Sequence, residues 1–315
     1  MSSGEPILST SQVEDLLPDP MTAVSLARQA LVARSSGGAQ VPPKPNLKLG
    51  GTAFANAMPA AWVEQDLAGC KWVTLVPDNP ERGLPTAQGV MVLADVATGS
   101  TRAVMQAAPL TASRTAAVTG ACLAAHGDPS RPVAFLGTGA QARSHLPVLA
   151  ALGFTDVRLF GRREAALAEL AACAADELPQ LRLVTTTDKQ AAVADAGAVI
   201  SGLTIGLVGA ELEPGWLADD VLLLPLDYAS SVGAELARGA TLAADDVEQF
   251  AAVAPAKLAA DYPLTQRWTG ELLQQQRPAG RLVYQNLGIG ITDLVFAAHV
   301  AGQAEQQGIG IELPG

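Results

Sequence analysis

The stretch "VAFLGTGAQARSHLPVLAAL", residues 133–152, decides the fold. An apolar run gives way to Gly137, Thr138, Gly139, Ala140, Gln141 and Ala142, and then to a segment rich in alanine and leucine. A tight turn alone needs fewer small residues; a loop whose backbone a ligand must approach closely needs more. Gly-x-Gly-x-x-Ala between a strand and a helix is the dinucleotide fingerprint. Gly137 permits the sharp turn, Gly139 lacks a Cβ that would hold off a pyrophosphate, and Ala142 lets helix and strand pack closely. The helix N-terminus adds free N–H groups and a partial positive charge.

The surrounding chain supplies the context that this motif requires. "PVAFLG" reads as a strand, residues 140–152 as a helix ending near Gly153, "DVRLFG" as a strand and "REAALAELAACAADEL" as a helix. "RLVTTT", "AVISGLT" and "VLLLPLD" read as further strands, with "DKQAAVADA" a short helix between the first two. Near-continuous apolar strands alternating with helices predict a parallel, doubly wound sheet. The expectation is an α/β protein with a Rossmann-type domain over residues 119–292. The second strand ends in Gly161, Arg162 and Arg163, where an NAD-binding chain would place a carboxylate for the ribose 2′-OH. Two guanidiniums suit a 2′-phosphate. The reading therefore prefers NADP (NADPH) and admits NAD; the bland alternative makes both arginines the start of a solvated helix.

Before this region the pattern is mixed. "TAVSLARQALVARSSG" (22–37) predicts a helix, whereas the prolines and glycines of "VPPKPNLKLGG" are expected to break any regular element. "CKWVTLVPD" and "GVMVLADVATGS" read as strands, and "TASRTAAVTGACLAAHG" (111–127) as a helix with Thr111 as N-cap and Gly127 as stop. From about residue 258 the chain is expected to be largely helical. It closes with "TDLVFAAHVAGQAEQQG", whose aliphatic face should pack on the first part.

Composition bounds the class. The 315 residues suffice for a large core, and hydrophobic residues make up 49% without a run of membrane-spanning length. A net charge of −11 argues against nucleic acid and anionic membranes as partners. The N-terminal stretch has neither the basic nor the apolar region of a secretion signal, and Cys70, Cys122 and Cys173 form no CxxC pair, so a reduced cytoplasm is expected. His126, His145 and His299 show no metal-ligand spacing, and no metal is expected.

Three residues carry candidate chemistry. Lys71, one of only five lysines, lies in an apolar strand-like run, where a cation demands a partner; a lysine that snorkels from a strand end is the alternative. Arg114 stands among small residues that leave room for a ligand or for a structural ion pair. Asp227 ends the apolar strand "VLLLPL", and ligands of open α/β sheets sit outside such ends; a turn-forming role is the alternative.

Several stretches then converge. "AMP" (57–59), "CKWVTLVPDNPERGLPTAQGVMVLADVATG", "LTASRTAA", "FLGTGAQARSHL", Asp227 and "NLGIGITDL" give the chain a resemblance to the ornithine cyclodeaminase/μ-crystallin family over nearly its whole length. The resemblance implies a homodimer with a mixed α+β substrate-binding and dimerisation domain, residues 1–118 completed by 293–315. It implies that Lys71 and Arg114 bind a substrate carboxylate and that Asp227 is the acidic partner of the substrate nitrogen. Lys44 lies near the family's second carboxylate-binding arginine, and a lysine there loses the bidentate geometry. Asn56, with Ala57, precedes Met58-Pro59 where cyclodeaminases carry a glutamate. The expected activity is NADPH-dependent reduction of the C=N bond of a small imino acid, or its reverse as an amino-acid dehydrogenase. Lys71 and Asp227 are the candidate catalytic residues, and Lys44, Asn56, Lys71 and Arg114 the substrate-binding ones. Two alternatives stand beside it: an NAD-dependent ornithine cyclodeaminase, and a non-catalytic NADP-dependent protein that sequesters a small ligand.

Overall fold

Strand runs near the N-terminus build a seven-stranded mixed sheet in the computed structural model, which describes residues 6–312. Its members are β1 (Pro6–Leu8), β2 (Asn46–Gly50), β3 (Ala53–Trp62), β4 (Leu67–Leu75), β5 (Ala87–Ala94), β6 (Thr101–Gln106) and the final strand, Ile311–Glu312. β2 to β6 form an antiparallel meander; β1 pairs parallel to β6 and antiparallel to the final strand. Helix α1 (Thr10–Asp15) opens with a capping box between Ser9 and Gln12. Helix α2 (Pro20–Ser35) starts where Asp19 accepts the Met21 and Thr22 N–H groups and Pro20 takes the first helical position. The C-terminal helix, Gly290–Gln307, packs on α2 and on β3, β4 and β5, as its apolar face predicts. Beneath it, cross-strand register lines up Met58, Lys71, Met91 and Met105 in one buried row. These elements form one unit, Met1–Arg114 with Gly288–Gly315.

The second unit, Thr115–Leu287, holds a wholly parallel sheet. Its strands are β7 (Val133–Leu136), β8 (Asp156–Phe160), β9 (Arg182–Thr186), β10 (Ala198–Ser201), β11 (Leu222–Pro225), β12 (Thr241–Ala244) and β13 (Leu282–Gln285). Their order is β12-β13-β11-β10-β7-β8-β9, so the winding direction reverses between β7 and β10. That reversal opens the crevice in which such sheets bind ligands. Helix α3 (Ala107–His126) leads the chain into this unit. It is followed by α4 (Ala140–Ala151), α5 (Glu164–Glu177), α6 (Lys189–Val193), α7 (Ala234–Arg238), α8 (Val247–Lys257) and α9 (Thr269–Leu272). β7, β10, β11 and β13 are buried along their whole length, which explains why their sequences are apolar apart from Ser201 and Gln285 at the carboxyl ends of β10 and β13. The α/β, Rossmann-type class is the one observed.

Three local expectations are corrected. The segment 41–51 is not wholly irregular: Asn46–Gly50 is an edge strand, and Gly50 and Gly51, at φ +104° and +53°, turn it into β3. All five of its residues are exposed, so burial left no periodic signal. Thr111 is not the N-cap of α3. The helix begins at Ala107, Pro109 is tolerated in its first turn, and the Thr111 hydroxyl donates back to the Ala107 carbonyl at 2.8 Å. The chain beyond 258 is not largely helical either: it contributes the strand β13 and the one-turn helix α9 before the C-terminal helix. A four-residue strand carries too few side chains for periodicity to distinguish it.

Candidate active site

The fingerprint residues Gly137 to Ala142 lie where β7 becomes α4, at the reversal of strand order. Gly137 adopts φ +119°, and a Cβ there would lie 2.8 Å from the Gly202 carbonyl oxygen after β10. Side chains other than glycine are therefore doubly excluded. Gly139 differs: its φ is −87°, and a Cβ would meet no protein atom within 4 Å. The space it leaves faces outward from the protein rather than serving internal packing, as a pyrophosphate cradle requires. No side chain caps the N-terminus of α4, Ala142 is buried, and the Gln141 side-chain oxygen is buried without a partner. The residues present thus fit a dinucleotide. Arg162 and Arg163 follow β8 and are exposed, with Arg163 at the N-cap of α5. Gly161 is required by packing, since a Cβ there would lie 2.7 Å from the Thr138 methyl group.

Asp227 follows β11 at the same carboxyl edge of the sheet, where cross-strand register sets Pro225 of β11 and Leu136 of β7 both opposite Ser201 of β10. The carboxylate is fully buried. Its Oδ2 accepts a short hydrogen bond from Ser201 Oγ, and its Oδ1 accepts from Ser231 Oγ at 2.9 Å. Burial pushes the carboxyl up to about 6, against the opposing pull of both serine hydroxyls. Asp227 and its successor Tyr228, held at φ +58°, line a cavity of about 460 Å³ together with Ile205, Leu207, Glu211 and Ser230. A non-glycine residue in the left-handed region beside a buried acid marks local strain of the kind found at functional sites. Two of the histidines have other work. His126 bonds Tyr284 and the Gln275 carbonyl, and His145 bonds Thr119 and the Gln141 carbonyl.

In the other unit, Lys71 is brought to a carboxylate absent from the candidates read in the sequence. Its Nζ donates to Asp293 Oδ1 at 2.6 Å and to Thr111 Oγ1 at 3.3 Å. Arg114 Nε donates to the same Asp293 oxygen at 3.1 Å. Asp293 is fully buried, and its Oδ2 has no hydrogen-bond partner. Burial pulls the Lys71 ammonium down to about 8; Asp293 opposes this, while Arg114 and Lys44 reinforce it. Lys44 Nζ donates to the Gly288 carbonyl at 3.1 Å. Asn56 lies on the same face of the sheet as Lys71, opposite Val73, and its side-chain oxygen accepts from Asn46 Nδ2 at 2.8 Å. Lys44, Lys71 and Arg114 thus converge around the start of the C-terminal helix. Two cations on one carboxylate oxygen leave an excess of positive charge in a largely desolvated setting, the chemistry of a carboxylate-binding site.

The model of the ornithine cyclodeaminase/mu-crystallin family matches residues 6–308. The chain belongs to that family. A Delta(1)-pyrroline-2-carboxylate reductase from Burkholderia multivorans is 37% identical over 185 residues, 57% of each chain. An alanine dehydrogenase from Archaeoglobus fulgidus is 31% identical over 257 residues, covering 77% of this chain and 74% of the relative. Two solved structures share the fold: an archaeal alanine dehydrogenase dimer with bound NAD (TM-score 0.85, 23% identity, 98% of this chain and 99% of that one) and the Thermococcus litoralis Delta(1)-pyrroline-2-carboxylate reductase with NADH and L-proline (TM-score 0.87, 19% identity, 98% and 100%).

Within this family member, sequence reasoning missed Asp293, Ser201 and Ser231. Asp293 carried one local signal, a carboxylate inside the apolar run "GIGITDLVFAA" that the helix buries almost completely. The serines carried none, because their role exists only once β10 and β11 are adjacent.

Proposed function

We propose that the protein transfers hydride between NADPH and the carbon–nitrogen double bond of a small imino acid, cyclic or acyclic, and oxidises the corresponding amino acid in reverse. The observation that carries this reading is the sharing of one Asp293 oxygen by Lys71 and Arg114, which leaves cationic donors for a ligand carboxylate. The dinucleotide, held by Gly137, Thr138, Gly139, Ala140, Gln141 and Ala142, supplies the hydride when bound. Arg162 and Arg163 favour a 2′-phosphate and so NADPH over NADH. Arg114 and Lys71 hold the substrate carboxylate, with Lys44 assisting, and this orients the C=N carbon. Asp227, poised near 6, stabilises a protonated imine nitrogen or exchanges a proton with it. Asn56, an amide already engaged by Asn46, is a neutral wall that cannot take up a proton from a distal amine, which disfavours cyclodeaminase chemistry.

A homodimer is part of the same reading. Trp72 and Val90, cross-strand neighbours on the face of the sheet opposite Lys71, are 39% and 36% exposed, an apolar surface suited to a second copy. Light scattering at several concentrations reads the assembly state.

The deciding assay follows NADPH absorbance with Δ1-pyrroline-2-carboxylate and its six-membered analogue, and in parallel measures ammonia release from ornithine with NAD. The expected result is NADPH oxidation by at least one imine and negligible ammonia. Ammonia and proline formation without NADPH consumption identifies a cyclodeaminase. Tight nucleotide and carboxylate binding without turnover identifies a sequestering protein.

A further inference from the structure

We propose that the segment Gly288–Asp293 builds the carboxylate clamp, with Asp293 and Gly288 as positioning residues that set the charge of Lys71 and the aim of Arg114. This rests on the proposed carboxylate-binding role of those cations and goes beyond it by naming what organises them.

Three cations converge on this short segment. Its first residue accepts the Lys44 ammonium through the Gly288 carbonyl. Gly288 adopts φ +79°, and a Cβ there would lie 2.9 Å from Arg114 Nη1 and 3.1 Å from Nη2. The absence of a side chain is therefore what lets the guanidinium approach the backbone this closely. The last residue, Asp293, takes Arg114 by Nε alone. Anchoring through Nε leaves both Nη groups, the fork that matches a carboxylate bidentately, for a ligand. Asp293 also takes Lys71, whose 1% exposure would otherwise favour the neutral amine. The charged groups facing Lys71 are Asp293 on the C-terminal helix, Arg114 on α3 and Lys44 in the loop before β2. Of these only Asp293 favours the ammonium. Its second oxygen spends its hydrogen-bonding capacity on nothing else, so the buried carboxylate serves the two cations.

The test uses full-length wild-type, Asp293→Asn and Gly288→Ala proteins. Only five lysines occur in the chain, so 13Cε-lysine NMR can follow Lys71 individually. Wild-type Lys71 is expected to titrate near pH 8, and the Asp293→Asn protein at least one pH unit lower. Affinity for pyrrole-2-carboxylate, a planar carboxylate that accepts no hydride, should weaken at least tenfold in Asp293→Asn, more at pH 8 than at pH 6. In turnover the KM for imino acid should rise by the same factor, with a smaller change in kcat. Gly288→Ala should weaken the carboxylate tenfold while the Lys71 titration stays in place. Unchanged Lys71 titration in Asp293→Asn overturns the inference, as does a pH-independent loss of affinity, which marks a purely structural role. Should Asp293→Asn fail to fold, Gly288→Ala decides: undiminished carboxylate affinity overturns the clamp. If the wild-type protein turns over no imine, the functional reading falls, and the Lys71 titration and carboxylate affinity still judge the positioning.

Discussion

Replacing Asp227 by asparagine should make the unliganded protein more stable at neutral pH while disabling it. Burial raises this carboxyl from its ordinary 3.8 to about 6, so the folded state prefers the protonated form. A shift of that size corresponds to about 3 kcal/mol of folding free energy. The sign follows from linkage. The stability associated with the protonated carboxyl is fully present below about pH 4 and is lost as pH rises through about 6. An asparagine stays neutral throughout, and its amide can still bond Ser201 and Ser231 after their hydroxyls rotate. The serine bonds to the ionised form are already contained in that shift, so only a poorer fit of the amide than of a neutral carboxyl offsets the gain, leaving about 1–3 kcal/mol in favour of Asp227→Asn at pH 7. Urea unfolding of both proteins at pH 4, 5, 6 and 7, without nucleotide and at one protein concentration, reads the difference. The gap should open between pH 4 and 6 and stay constant above, while kcat falls by roughly 100-fold or more with loss of the acid/base group. A variant less stable than wild type at pH 7, or a gap identical at pH 4 and pH 7, refutes the reasoning.

The glycines of the loop should separate by role. Gly139→Ala should leave the unfolding midpoint unchanged, because its Cβ meets no protein atom, yet weaken dinucleotide binding about tenfold or more; Gly137→Ala should lose stability outright, as differential scanning calorimetry would show. Arg162→Ala should weaken NADPH about tenfold, near 1.4 kcal/mol, and leave NADH unaffected in fluorescence titrations; equal losses for both nucleotides would remove the 2′-phosphate role. Arg114→Ala should raise the imino-acid KM by roughly 10- to 150-fold, the equivalent of 1.5–3 kcal/mol for a charged hydrogen bond, with NADPH affinity unchanged. Loss of fold or assembly in that variant would instead make Arg114 a structural partner of Asp293.

What the sequence determined by itself was whatever neighbouring residues must satisfy together. Gly137, Gly139 and Ala142 stand within six positions of one another, and the strand before them and the helix after them follow from composition alone. The parallel sheet was legible for the same reason, since a strand buried on both faces is apolar along nearly all of its length. Lys71 announced itself as a charge in an apolar run, and Asp227 as an acid at a strand end. Their partners did not. Asp293 lies 222 residues from Lys71 and 179 from Arg114, and an ion pair across such distances imposes no period or spacing on either segment. Ser201 acquires its hydrogen bond to Asp227 only because β10 and β11 pair in register. The edge strand Asn46–Gly50 buries nothing, and the strand Thr241–Ala244 is held by pairing with β13 against an alanine composition that suits a helix. Local chemistry dictated where a dinucleotide fits; only the folding of distant segments onto one another decided which carboxylate keeps the buried lysine charged.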